Sequence, residues 1–505
     1  ILHRGGNAID AAIGVQFALA VTFPNAGNLG GGGFMLIHTR AGETAIDYRE
    51  TAPAAAHRDL FLDSEGNVIP NRSLLSPQAS GVPGTVAGMW LAHRTFGSLP
   101  WRDLLAPAIR LAEEGWLLDP WTAESFAGLK KNNSRDYFRG QAHQRFIQKE
   151  LAATLLRIAE QGRDGFYRGE TARLIVAEMA RGSGLITADD LAGYQAVVRK
   201  PVEGTYRGLR VVSMPPPSSG GIALLELLGM MERFDPRAQG FHSAAHLHTL
   251  CELEKRVFAD RSEYLGDPDF YRVPTSSLLD PATLQARAEK IPLDHRTPPD
   301  QVAAGEIREK NETTHFSIVD AKGNAVANTT TLNDSYGSGI VVRGAGFLLN
   351  NEMDDFSAKP GVPNLFGVIG GEANAIAPRK RMLSSMTPTF VFKEGKLWLV
   401  LGTPGGPTIF TTVFQILVNR VDFGMTLDDA VARPRVHHQW PPPKKGTDPI
   451  LVERDLAPNE ADQLRQMGYD LTPRPRIGDV QAIEINGPRA AASCDPRGLG
   501  RSASD

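Results

Sequence analysis

The sequence predicts an α+β fold in which β-sheets are stacked between helical layers. Three observations lead there: a helix and two strands open the chain, helical patterns dominate residues 81–274, and the part after residue 313 is rich in strands. Its 505 residues, 42% hydrophobic and 22% charged, suffice to bury a large core and are ordinary for a soluble globular protein. A formal net charge of −3, without any run of Lys or Arg, lacks the electrostatic footprint of a nucleic-acid binder and points to small-molecule chemistry.

The opening helix follows from Ala8, Ile9, Ala12, Val15, Ala18 and Leu19, which recur near helical spacing and stop before Pro24. Its apolar stretch, residues 11–23, is interrupted by Gln16 and falls short of the ~20 residues that span a bilayer, so no membrane span is expected. The chain begins at Ile1, already inside a motif, so any export signal is expected to lie outside this sequence. Four glycines at 30–33 come after a helix and before a strand at 34–39, the reverse of the strand–glycine–helix order of a nucleotide cradle. Beyond the turn Arg40-Ala41-Gly42, a strand at 44–48 delivers Arg49. An arginine there is commonly a surface ion pair, but its planar fork also suits bidentate capture of a carboxylate.

Helical patterns follow at 85–95, 104–114, 151–161, 171–181 and 244–264. Between the last two, a strand at 209–214 runs into Pro215-Pro216-Pro217-Ser218-Ser219-Gly220-Gly221 and a helix reaching about Arg233. No Lys follows as in a P-loop, so this reads as a tight structural turn. Cys251 and Cys494 stand in neither metal-ligand nor redox spacing and read as unpaired thiols.

A polar connector at 294–312, with Pro298 and Pro299, runs straight into Thr313. From there a strand to Asp320 turns at Ala321-Lys322-Gly323-Asn324 into a second strand at 325–332. Alternation places Thr314, Phe316 and Ile318 on an apolar face and Thr313, His315, Ser317 and Val319 on the other, so Thr313 faces a polar pocket. Adjacent threonines open many strands simply because β-branched residues suit them, so this pattern alone does not separate structure from chemistry.

After Asn333 and a glycine-bearing turn, residues 346–355 read as extended, which puts Asp354 and Asp355 on opposite faces. Residues 356–377 form a Gly- and Pro-rich loop, longer than most connections. A second hairpin at 386–392 and 397–401 leads through Gly402-Thr403-Pro404-Gly405-Gly406-Pro407 into a helix at 408–419. Strand, glycine loop and helix start aim free N–H groups at developing negative charge, although glycine turns at helix entries are frequent. His437 and His438 have no carboxylate or Cys at ligand spacing, so they read as structural and no metal site is expected.

Taken together, several of these stretches resemble the gamma-glutamyltransferase (gamma-glutamyl transpeptidase) family of the N-terminal nucleophile hydrolase superfamily, over nearly the whole chain. They are Thr313-Thr314-His315-Phe316-Ser317, Leu349-Asn350-Asn351-Glu352-Met353-Asp354-Asp355-Phe356-Ser357, Leu383-Ser384-Ser385-Met386-Thr387-Pro388 and Gly402-Thr403-Pro404-Gly405-Gly406, with Asn28-Leu29-Gly30-Gly31-Gly32-Gly33-Phe34-Met35 and Asp47-Tyr48-Arg49-Glu50-Thr51-Ala52-Pro53 upstream. The resemblance implies a four-layer αββα sandwich, made as one globular unit from a large subunit, 1–312, and a small subunit, 313–505. It implies self-cleavage between Glu312 and Thr313. The freed α-amine, of ordinary pKa about 7.7–8.0, would then be the base for the Thr313 hydroxyl.

By the same resemblance Thr331 orients the nucleophile, and Gly405 and Gly406 form the oxyanion hole. Arg49, Ser384 and Ser385 hold the donor's α-carboxylate, while Asn333, Glu352 and Asp355 hold its α-amine. Phe366 stands in a lid at a position often occupied by Tyr, and it lacks the hydroxyl that would reach Asn333. The donor would be glutathione or a related γ-glutamyl compound and the acceptor water, an amino acid or a dipeptide, with no cofactor and a periplasmic or secreted setting. Competing readings are a cephalosporin (glutaryl) acylase, whose substrate side chain has no α-amine, and an unprocessed, inactive binding protein. A nucleotide-binding enzyme has the least support.

Overall fold

The computed structural model describes residues 1–302, 313–359, 362, 364–365, 370–441 and 446–504. Its two main sheets are built from β1 (Gly32–Thr39), β2 (Gly42–Asp47), β3 (Val197–Arg199), β4 (Val202–Tyr206), β5 (Leu209–Ser213), β6 (Thr314–Val319), β7 (Ala325–Thr331), β8 (Thr389–Lys393), β9 (Lys396–Gly402), β10 (Gln481–Asn486) and β11 (Arg489–Cys494). The first sheet has the order β3-β2-β1-β7-β6 and the second β11-β10-β9-β8-β5-β4, antiparallel throughout.

Period-2 alternation assigns the two faces of each sheet. Phe34, Leu36, Ala45, Ala325 and Ala327 of the first meet Val212, Phe390, Phe392 and Val400 of the second. Their neighbours Met35, Ile37, Ile46 and Val326 turn outward onto the helices α1 (Ala8–Thr22), α2 (Thr85–Phe96), α3 (Trp101–Glu114), α4 (Lys149–Gln161) and α5 (Gly169–Arg181). On the far side Val211, Val391, Leu399 and Leu401 pack against α6 (Gly220–Met231), α7 (Ala244–Tyr264) and α8 (Thr408–Val421). The result is the expected sandwich: helices, sheet, sheet, helices. Each large apolar side chain fully buried in these layers contributes about 1.5–3 kcal/mol.

The four glycines at 30–33 serve close backbone approach. A Cβ on Gly30 would lie 2.1 Å from Leu348 O, on Gly31 2.1 Å from Thr331 O and on Gly33 2.3 Å from Thr329 O. Any other residue at Gly31 or Gly33 would push this segment away from β7. In α7 burial goes almost all the way round and includes Glu252, Glu254, Lys255, Arg256, Asp260 and Arg261, so this helix carries its charges into the interior.

Two expectations are corrected. Residues 352–355 form a 3-10 turn, not a strand; the two aspartates still diverge, because successive residues of such a turn point about 120° apart. The second hairpin begins at Thr389 and not at Met386, since Pro388 has no N–H to give the ladder. The short strands β3 and β4 were not anticipated. They are half-exposed edge strands with little apolar signal.

Candidate active site

Thr313 lies at the head of β6, whose register against β7 pairs Thr314 with Thr330. That register brings the Thr313 hydroxyl to 3.5 Å from the Thr331 hydroxyl. Thr331 Oγ1 also accepts the Asn333 N–H at 2.8 Å, and Asn333 sits in the left-handed region at φ 78°. As the alternation requires, Phe316 and Ile318 pack on the helical layer while the Thr313 face looks toward the second sheet. There the His315 ring fills the space a Cβ on Gly402 would need, at 2.3 Å. His315 is hydrogen-bonded to Thr329 (2.8 Å) and Ser317 (3.1 Å), and burial pushes its pKa down to about 3, so the ring is neutral.

From Gly402 the chain turns through Gly405 (φ 142°) and Gly406 (φ 50°) into α8. Their carbonyls accept from Thr408 and Ile409 at 3.1 Å, whereas their own N–H groups have no acceptor among the described residues. Two unpaired donors at a helix entry beside a hydroxyl are suited to hold an oxyanion.

Arg49 is fully buried at the end of β2. Its guanidinium pairs with Glu352 and Asp355 and donates to the carbonyls of Met382 and Leu383, each at 3.2 Å. Glu50 stands 3.7 Å away with neither oxygen hydrogen-bonded, and Glu352 Oε2 is also without a partner. Burial pushes Glu50 up to about 7 and raises Glu352 and Asp355 as well, with Arg49 opposing the rise in each case. Asp354 turns the other way, to the Ser73 hydroxyl (2.5 Å) and the Leu365 N–H (2.6 Å).

Ser384 and Ser385 come from the loop before β8. Arg261 of α7 donates to Ser385 Oγ at 3.1 Å and to Ser219 Oγ at 3.0 Å. Ser219, in the Pro- and Gly-rich stretch after β5, donates both its N–H (2.7 Å) and its hydroxyl (2.6 Å) to Ser384 O. That stretch is therefore a buttress, as its lack of Lys suggested. Neither the Ser384 nor the Ser385 hydroxyl proton has an acceptor among the described residues.

Two recesses meet at Thr313. One, with about 30 Å³ of free space, is lined by Arg49, Asn333, Glu352, Asp355, Ser384, Ser385 and Gly406. The other, about 270 Å³, extends past Gly405 toward Phe23, Trp121, Arg474 and Arg476. Every expected site residue within the described part thus converges, while Glu312 and Phe366 lie outside it. The sequence reading missed Glu50 and Arg261. Glu50 was hidden as the neighbour of an expected ligand, and Arg261 stands on a helix whose surrounding charge was the only hint that it needed buried partners.

The family model described as gamma-glutamyltranspeptidase matches residues 1–504. The glutathione hydrolase proenzyme of Pseudomonas aeruginosa is 50% identical, over 99% of this chain and 91% of that protein. Among solved structures, cephalosporin acylase from Bacillus halodurans matches with TM-score 0.85 at 27% identity, covering 100% of this chain and 92% of that one. A chain of Helicobacter pylori gamma-glutamyltranspeptidase, 43% identical with TM-score 0.59, covers 60% of this chain and 90% of that one.

Proposed function

The chain belongs to the gamma-glutamyltranspeptidase family, and on that footing we propose that it is a self-cleaving γ-glutamyltransferase and glutathione hydrolase. The observation that carries this reading is the cluster at Arg49. Three carboxylates, Glu50, Glu352 and Asp355, surround one guanidinium, and even with Arg261 counted the carboxylates outnumber the cations. A donor bearing both an α-ammonium and an α-carboxylate suits this cluster: its ammonium supplies the missing positive charge near Glu352, Asp355 and the Asn333 amide. Its carboxylate takes donors from Arg49 and the two unengaged hydroxyls of Ser384 and Ser385. A glutaryl chain has no ammonium and would leave the surplus carboxyls without a cation, to be neutralised by protonation, which favours the γ-glutamyl reading over a cephalosporin acylase.

In the scission step the Thr313 hydroxyl attacks the Glu312 carbonyl carbon, the peptide C–N bond breaks as an ester forms, and water hydrolyses that ester. The large subunit, 1–312, and the small, 313–505, remain together as a heterodimer. In support, the Helicobacter pylori chain, itself matched over 90% of its length, covers 60% of this sequence, about the share that residues 1–312 make up. The new α-amine then accepts the hydroxyl proton, Thr313 Oγ1 attacks the γ-carbonyl of the donor, and the Gly405 and Gly406 N–H groups hold the oxyanion. The leaving amine takes the proton back, and the γ-glutamyl-threonine ester passes to water or to the amine of an amino acid or peptide. Thr331 orients the nucleophile through its hydroxyl. Export to the periplasm or medium belongs to the same proposal and rests on the family alone; no helix among the described residues is long and apolar enough to cross a membrane.

Thr313→Ala is the decisive variant. It should leave a single uncut band on a denaturing gel and lower kcat/KM for γ-glutamyl-p-nitroanilide by at least about 10⁴-fold, as loss of a nucleophile that works as part of a unit does. An uncut wild type that turns over, or faster release from glutaryl- than from γ-glutamyl-p-nitroanilide, would sink the reading.

A further inference from the structure

The strand that carries Thr331 has a polar back. β7 ends in four consecutive buried polar residues, Asn328, Thr329, Thr330 and Thr331. Alternation turns Thr329 and Thr331 to the second sheet, where they meet His315 and Thr313, and turns Asn328 and Thr330 to the helical layer. There Asn328 donates to Gln16 of α1 (3.2 Å) and accepts from the Tyr48 hydroxyl (2.8 Å), and the Thr330 hydroxyl donates to Gly32 O (2.9 Å). Asn28, itself buried, is the hub. Its Nδ2 meets Thr331 O (2.9 Å), Thr330 Oγ1 (3.1 Å) and Ala26 O (2.9 Å), while its Oδ1 accepts from the Gly31 N–H (3.1 Å) and the Thr85 hydroxyl (2.6 Å). One end of the group must therefore donate and the other accept, which an amide does and a carboxylate or a hydrocarbon does not. Gly32 and Thr331 form the last pair between β1 and β7, so Asn28 grips the Thr331 carbonyl where the ladder ends.

We propose, deepening the γ-glutamyl-transfer reading and resting on it, that Asn28 is a positioning residue for the Thr313 nucleophile. Held at its carbonyl, Thr331 keeps its place on β7, and its hydroxyl stays 3.5 Å from that of Thr313 and 2.8 Å from the Asn333 N–H. Asn28 touches no reacting atom and acts through Thr331. Attack requires the Thr313 hydroxyl close to its line of approach, and a displacement of about 1 Å can cost about 10²-fold in rate. The same hydroxyl is the nucleophile in scission and in turnover. Both steps therefore depend on Asn28, whereas donor capture at Arg49 does not.

The test follows scission in newly made chain by pulse-chase, and turnover of γ-glutamyl-p-nitroanilide by the cut protein. Asn28→Asp keeps the shape and the acceptor for Gly31 and Thr85 but turns an oxygen toward three oxygens. It should lower the first-order rate constant of scission and kcat, each by about 10- to 100-fold, with donor KM within about 2-fold of the unmodified value. Misfolding lowers the amplitude of scission and not its rate constant, which separates misplacement from loss of the fold. Asn28→Ala repeats the comparison without the added oxygen should the aspartate variant fail to fold. In a Thr331→Ala background Asn28→Asp should slow scission by less than about 3-fold, because a residue that acts through Thr331 has nothing left to position. A rise in KM at unchanged kcat, a fall in scission amplitude alone, or an equal cost in both backgrounds would overturn this inference alone. No p-nitroaniline release from cut, unmodified protein would overturn the γ-glutamyl reading, and the scission measurements would still decide the role of Asn28.

Discussion

Lys255 and Arg49 are both completely buried and both ringed by carboxylates, yet the two clusters are finished to different degrees. Around Lys255 every carboxylate oxygen is engaged. Glu252 accepts from Lys255 (2.8 Å), Arg256 (2.6 Å), Tyr469 (3.0 Å) and the N–H and hydroxyl of Thr297, and Asp448 accepts from Lys255 (2.8 Å) and Arg296 (3.2 Å) and contacts His438 (2.7 Å). Although burial alone would raise both carboxyls, these partners hold Glu252 at about 2 and Asp448 well below the usual range. Around Arg49 three carboxylate oxygens are orphaned and the carboxyls are pushed up. A satisfied buried cluster works as a clamp; an unsatisfied one is a site short of a cation.

What the first cluster clamps is Thr297, whose N–H, hydroxyl and carbonyl are all engaged. That residue lies in the first part of the connector to Thr313, so on the proposed scission the clamp would keep the end of the large subunit seated. Removing its central cation is the largest effect expected in the comparison. Lys255→Met should leave Glu252 and Asp448 short of a partner and lower the unfolding free energy by about 3–5 kcal/mol, measured by urea denaturation. A loss under about 1 kcal/mol would mean that the network is not the clamp described.

The two clusters also differ in how far the sequence revealed them. Arg49, Glu352, Asp355, Ser384 and Ser385 stand in short local motifs, and Thr313 and Gly405-Gly406 are placed by strand alternation and a strand–loop–helix order, all of which are local signals. The Lys255 cluster is assembled from α7, the segment around Thr297 and the residues Asp448 and Tyr469, far apart in the chain, and no local period reports such a meeting. The layered architecture was legible for the same reason the motifs were, since each strand carries its own two-faced pattern. Glu50 and Arg261 were not, because their significance lies in what they lack or touch across the fold.

Arg49 tests the unfinished cluster at intermediate size. Arg49→Lys keeps one charge but loses the planar fork that meets two carboxylates and two carbonyls at once. We expect kcat/KM for γ-glutamyl-p-nitroanilide to fall about 10- to 100-fold, chiefly through KM, with scission at Thr313 retained. A loss confined to kcat would place Arg49 in the chemistry and not in donor capture.

Glu50 gives the smallest effect and separates the clusters most cleanly. Its carboxyl titrates near 7 in the folded protein and near 4.3 when unfolded, so the native state holds this proton to higher pH. Its stabilising contribution is therefore full below about 4.3 and is lost as pH rises through about 7, with a limiting slope of about 1.36 kcal/mol per pH unit. Glu252, with its depressed pKa, acts oppositely: its contribution is full above about 4.3 and is lost as pH falls toward about 2. A donor ammonium favours ionised Glu50, so donor KM should fall as pH rises through about 7. Glu50→Gln should remove its share of both slopes between pH about 5 and 8, in denaturation midpoints and in log KM, while Glu352, Asp354 and Glu226, whose carboxyls burial also raises, keep theirs and the acid limb set by Glu252 stays in place. If both slopes keep their full size in Glu50→Gln, the missing positive charge is not felt at this carboxylate, and the ammonium must be read by Glu352 and Asp355 alone.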